Sequence, residues 1–218
     1  MLRKILEGQI FQTIYSAFFL FLILIIYKDA VPKLKIALIL SVSASLLHQL
    51  FVALTWRIEL YTKKVSHSFK HAFLYYKIGF IFFSFLRITS IIAVSIINKE
   101  SIIITESLRY ISISVLAFPC FYAFYSVIKY FGLNRAFGID HFNESYKQKN
   151  LVKKGIYRFT CNGMYLFAVL FIYFIPIAMA SLAGLIAAAF THIHLWIHYF
   201  CTEKPDMAKI YGEMKDDK

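Results

Sequence analysis

Hydrophobic positions fall in long blocks along this chain and do not alternate with polar ones. Uncharged or nearly uncharged runs cover Gly8 to Tyr27, Ile36 to Trp56, Ile78 to Asn98 and Tyr110 to Ile128. Each is close to the ~20 residues an α-helix needs to cross ~30 Å of hydrocarbon. A fifth run, Asn162 to Thr202, holds 41 residues without a formal charge. As helix it is roughly 60 Å long, about twice the thickness of a bilayer core, so it has to cross and come back. The pattern therefore predicts an all-α, polytopic transmembrane helical bundle of five or six spans with a C-terminal helical hairpin. No run has a period of two, which argues against an outer-membrane barrel and requires helices.

Composition agrees: 60% of the 218 residues are hydrophobic and the mean hydropathy is +0.64, too apolar for a soluble domain. The net charge of +12 would suit nucleic acid, but its distribution follows the membrane. With six spans and a cytosolic N-terminus, 18 Lys and Arg fall on the inner side and 5 on the outer. That asymmetry is the positive-inside rule. It puts both termini of a multi-pass inner- or cytoplasmic-membrane protein in the cytosol, makes anionic headgroups the partners of the basic residues, and argues against nucleic acid. The short basic start ahead of a full-length apolar run reads as a signal anchor, not a cleaved leader. Cys120, Cys161 and Cys201 have no paired spacing and imply neither a disulfide framework nor a zinc site.

The chain divides into a membrane scaffold of four spans, residues 1–128, and a C-terminal region, 129–218, that concentrates polar, aromatic and glycine residues. The segment Lys129 to Asn150 mixes aromatics with charges and reads either as an interfacial helix and loop or as a lid over a site. Pro119 and Pro176 lie inside uncharged runs, where each marks a kink or a turn. The turn of the hairpin is expected between Pro176 and Gly184.

Two polar motifs bracket the hairpin, and a fold-back returns them to one membrane face. The first runs Gly-Ile-Tyr-Arg-Phe-Thr-Cys-Asn-Gly-Met-Tyr from Gly155 to Tyr165. Helix-start amides there favour an anionic ligand, and the rings of Tyr157 and Tyr165 offer flat faces to a purine. A purely structural role at the interface is the competing reading. The second runs Thr-Glu-Lys-Pro-Asp-Met from Thr202 to Met207. Pro205 fits a helix start and Asp206 complements its dipole. Glu203 is the first formal negative charge after the hairpin, able to accept from a ribose or an amine or to hold the tail against basic residues.

These motifs and the hairpin between them resemble the C-terminal core of the integral-membrane methyltransferases. That family includes isoprenylcysteine carboxyl methyltransferases and phospholipid (phosphatidylethanolamine) N-methyltransferases. The matching residues are Gly155, Tyr157, Arg158, Asn162 and Tyr165, then Glu203, then Tyr211 with Gly212, over about 70 residues. Cys161 and Gly163 stand where the family usually has Arg and Pro, and Glu203-Lys204 replaces an acidic pair, with Asp206 the nearest second acid. The resemblance implies an enzyme that moves a methyl group from S-adenosylmethionine, bound at the cytosolic face, to a lipid-soluble acceptor arriving from the bilayer. Both a phospholipid amine and an isoprenylcysteine carboxylate remain open as acceptors. Glu203 and Asp206 are the candidate proton acceptors, with cofactor binding ranked first for both. A non-catalytic membrane scaffold or lipid-binding protein, and a sterol-reductase-like NADPH enzyme, are the alternatives.

His194 and His198 share a helix face four residues apart, whereas His192 points away. Two ligands on one helix do not make a metal site, so no metal is expected and these histidines are candidates for the cofactor cavity. Arg87 falls near the middle of its run, at a cost of roughly 3 kcal/mol on insertion scales. Either it faces a cavity, or the run is misframed and the side chain snorkels to a surface.

Overall fold

The computed structural model describes residues 2–146 and 152–212. The end of the Lys129–Asn150 segment, Leu151 and the last six residues of the tail lie outside these. Six principal helices carry the fold: α1 (Gln9–Ile26), α2 (Pro32–Thr62), α3 (Ala72–Ile97), α4 (Glu106–Ser126), α5 (Leu182–His198) and α6 (Lys204–Tyr211). Among the described residues, five helical stretches are long and apolar enough to cross a membrane, α5 and α6 counting as one continuous stretch from Leu182 to Tyr211. Phe18, Phe21, Phe82, Phe85 and Phe118 stand on outward faces, exposed as lipid-facing side chains are. This is an integral membrane protein.

Local chemistry sets the helix ends. Pro32 occupies the first turn of α2, where its missing N–H costs nothing. Thr105 caps α4 by accepting from the Leu108 amide at 3.4 Å. Ser181 caps α5 by accepting from the Gly184 amide at 3.0 Å. The helix of α4 continues through a π-helical turn, Val127–Phe131, so the boundary expected at residue 128 falls inside one unbroken helical stretch.

The hairpin is present, but its first leg is not a single α-helix. It runs as Gly163–Leu166, a 3₁₀ stretch Ala168–Tyr173 and Phe174–Ala178. Tight 3₁₀ winding rises about 2 Å per residue, so 16 residues reach roughly 25 Å. The turn falls at 179–181, inside the expected window, where Ala180 takes a positive φ of 46°. The carbonyls of Met179 and Ala180 accept from the amides of Glu100 (2.8 Å) and Ile102 (3.0 Å) in the α3–α4 loop. That pins the turn to the far end of the bundle, so the hairpin runs the length of the bundle and returns.

The core lies between α2, α3 and α5, with Leu38, Val42, Val94, Ala183, Ala187 and Phe190 packed together. Small residues on α5 permit close approach. A second aromatic cluster joins Val52, Trp56 and Tyr76 to Phe142 of the interfacial segment. Gly138 belongs to this contact: its φ is +79°, and a Cβ there would stand 2.3 Å from Trp56 Cζ2. His141 stacks on the indole at 4.2 Å and hinders its retreat on that face. Gly138→Ala is therefore expected to destabilise the protein by about 2–3 kcal/mol through backbone strain and overpacking together. A lowered thermal midpoint of the detergent-solubilised protein measures it, and an unchanged midpoint refutes the packing.

Candidate functional site

The hairpin returns its two motifs to one end of the bundle. There the Tyr165 hydroxyl donates to Glu203 Oε2, joining residues 38 positions apart. The Tyr165 ring packs against Trp196 and Tyr199 at 5.6 and 5.2 Å, and its carbonyl lies 2.8 Å from His192 Nε2. A second π-helical turn, Tyr199–Glu203, separates α5 from α6. Such turns interrupt the regular ladder and re-aim side chains, often beside functional sites.

Two cavities meet at this pair. The outer one, about 520 Å³, is lined by Tyr157, Arg158, Asn162, Tyr165, Tyr199 and Glu203 among others. Its size suits a small-molecule ligand. The exposed cations Lys153, Arg158 and Lys204 also line it. Tyr157 stacks on Phe131 at 5.1 Å, and its buried hydroxyl has no partner among the described residues. Burial pushes that hydroxyl's pKa up, with the negative charge of Glu203 adding to the effect, so it stays a neutral donor at physiological pH. The inner cavity, about 170 Å³, shares Tyr165 and Glu203 with the outer one and extends to His48, Trp56, Arg87 and His198.

The interfacial segment forms a common wall of both cavities through Phe131, Arg135 and Asp140. Arg135 Nε pairs with Asp140 Oδ2 at 3.4 Å. Tyr211 closes the triangle, donating to Asp140 and accepting from Arg135 at 3.1 Å. The tyrosine of the tail motif thus fastens α6 to this wall.

Of the residues singled out in the sequence, Tyr157, Arg158, Asn162, Tyr165 and Glu203 come together around the outer cavity, and His198 lines the inner one. Three do not join them. Gly155 lines neither cavity; it has a φ of +62° and packs against α4, where a Cβ would meet Ser126 Oγ at 2.5 Å. Its role is to let the motif dock, with the next amide, of Ile156, donating to that same hydroxyl at 3.0 Å. His194 is fully buried beside Tyr15 and Phe190, away from both cavities. Asp206 is committed to Arg57 at 3.3 Å, with His141 Nε2 at 3.5 Å. Burial in that cluster removes it from the candidate proton acceptors.

Arg87 stands mid-helix on α3, buried, and faces the inner cavity rather than snorkelling. Missed in the sequence were His48, Trp56, Arg135 and Asp140. For the first two a signal existed: Ser41, Ser45, His48, Gln49, Val52 and Trp56 recur at helical spacing and are all buried on α2. A polar stripe inside a span is the mark of an inward face.

A fold and a site of this kind, a membrane bundle with paired cavities at the return of a hairpin, define a membrane-embedded enzyme or binding protein. The comparison with known families narrows that: the phospholipid methyltransferase family model matches residues 108–214. This stretch, from the start of α4 through the whole hairpin and α6, is similar to that family, and the family implies a methyltransferase. No curated protein and no solved structure gives a significant match.

Proposed function

We propose that the protein transfers a methyl group from S-adenosylmethionine to a phospholipid amine, at the end of the bundle where Tyr165 meets Glu203. The observation that carries this reading is the junction of two cavities at that pair, one opening among exposed cations and one running inward between spans. The donor set of the outer cavity fits S-adenosylmethionine chemically. Tyr157, Tyr165 and Tyr199 offer aromatic faces to the adenosine, and Tyr157 its hydroxyl as well. Lys153, Arg158 and Lys204 offer positive charge to the carboxylate, and Glu203 a charged acceptor to a ribose hydroxyl or the cationic centre.

When bound, S-adenosylmethionine supplies a sulfonium methyl that an acceptor nitrogen takes by in-line displacement, the C–S electron pair staying on sulfur. The residues of the chain contribute position and dryness, which supply much of such a rate without a covalent nucleophile. Glu203 stands on the wall common to both cavities, where it can take the proton that an ammonium acceptor has to lose. Tyr165 orients that carboxylate. The cationic rim, together with the excess of Lys and Arg on this side of the spans, supports a cytosolic face.

Titration of the protein in lipid nanodiscs with S-adenosylmethionine and with NADPH tests this reading. Saturable binding of the methyl donor and none of the nicotinamide is expected, followed by transfer of labelled methyl to phosphatidylethanolamine. Binding of NADPH alone would support a reductase, and binding of neither a non-catalytic lipid protein.

A further inference from the structure

The inner cavity holds a buried guanidinium that no ion pair among the described residues engages. Arg87 is 8% exposed, His48 1% and His198 2%, and all three line this cavity. Among the described residues, Nε and Nη1 of Arg87 and both ring nitrogens of each histidine have no hydrogen-bond partner. The ion pairs among the described residues all involve other arginines and lysines or His141. A guanidinium is charged at every physiological pH and carries five donors in a planar fork. In the middle of a span it calls for a counter-charge; among the described residues no carboxylate pairs with it, and Glu203 lines the same cavity without an ion pair to it.

We propose that the inner cavity is the seat of a lipid oxyanion, a phosphodiester or a carboxylate, gripped by Arg87 with His48 and His198 as flanking donors. The inference rests on the outer cavity being the donor site, since it assigns the inner one to the acceptor. Three observations favour the acceptor over the donor's own carboxylate. Tyr157, Arg158 and Asn162 line only the outer cavity, which has its own cations. The inner cavity is walled by α2 and α3, the helices that face lipid on their other sides. Arg87 and His48 also lie outside the stretch 108–214 that matches the family, so they add to the family core a feature of this chain. With Glu203 at the shared wall and Arg87 deeper, the cavity presents a negative and a positive pole. A headgroup carrying an amine and an oxyanion is oriented by both, amine toward Glu203.

The test is direct binding of three probes with one chain length, dodecyl phosphate, dodecanoate and dodecanol, to the detergent-solubilised full chain. Calorimetry is run in parallel with S-adenosylmethionine. At least one anion is expected to bind about ten-fold or more tighter than the alcohol, the scale of one or two charge-assisted hydrogen bonds. A preference for the phosphate points to a phosphodiester, and for dodecanoate to a carboxylate. Arg87→Met should erase the preference while S-adenosylmethionine affinity stays within about three-fold, and Arg87→Lys, which keeps the charge and loses the fork, should retain part of it. Equal binding of all three probes to the unaltered protein overturns the proposal without any variant. So does an Arg87→Met or Arg87→Lys protein that loses the methyl donor but keeps the preference. If S-adenosylmethionine fails to bind while the anion preference holds, the donor reading falls and the oxyanion site stands.

Discussion

Glu203→Ala is expected to weaken S-adenosylmethionine binding by about 10- to 100-fold, the range set by about 1.5–3 kcal/mol for hydrogen bonds to a charged group. The carboxylate is the one acidic group of the tail motif on the wall of both cavities, and Tyr165 already orients it. Glu203→Gln separates charge from shape. The amide oxygen still accepts from the Tyr165 hydroxyl, so the fold is retained, whereas the charge is lost and with it most of the donor affinity. Tyr165→Phe keeps the ring contacts to Trp196 and Tyr199 and frees the carboxylate to rotate, so a loss of only a few-fold is expected, about 1 kcal/mol. Calorimetric titration of the three variants checks the order. Wild-type affinity in Glu203→Ala would move the donor site elsewhere.

Fold-back of the 41-residue uncharged run was legible because hydrocarbon thickness fixes how much helix fits one crossing. From that followed the meeting of Tyr165 with Glu203 and the position of the turn, now seen at 179–181. Helix type within the first leg was not legible, since apolar residues such as those from Ala168 to Tyr173 carry no periodic signal that separates 3₁₀ from α winding. The π turn ahead of Glu203 was hidden for the same reason. Asp206 and His194 lie outside the lining of both cavities, because sequence spacing tells which residues share a helix, not which neighbour claims the side chain. Asp206 lies one turn from Glu203 on the same helical stretch, yet Arg57, 149 positions away, holds it. The roles of His48 and Arg135 depended on helices converging from distant parts of the chain. Arg87 had been open between two readings, and burial against α2 and α5 decided for the cavity.

Arg57→Met is expected to cost about 3–5 kcal/mol of stability, the loss typical of breaking a buried pair from one side. Arg57, at 2% exposure, is the point where three separate segments are tied. Its Nε holds Asp206 of α6. Nη2 donates to the Cys201 carbonyl at 2.8 Å, inside the π turn. Nη1 donates to the carbonyls of Glu7 and Lys4, ahead of α1. Gln9 Nε2 adds a bond of 3.1 Å to Thr202 Oγ1 across the same contact. Methionine fills the volume of the aliphatic stem but takes the guanidinium donors away from Asp206 and from the Lys4 and Cys201 carbonyls, leaving Asp206 with His141 alone and the Glu7 carbonyl with Gln9 Nε2 at 3.2 Å. Glu203 sits between Cys201 and Asp206, so donor affinity should fall with stability, although Arg57 touches neither cavity. The double variant Arg57→Met/Asp206→Asn removes the stranded charge and is expected to recover part of the stability, because an uncompensated ion is the largest part of the loss. Denaturant midpoints of the three proteins in mixed micelles measure this. A single variant as stable as the parent would mean that the N-terminal segment and α6 are held by something other than this arginine.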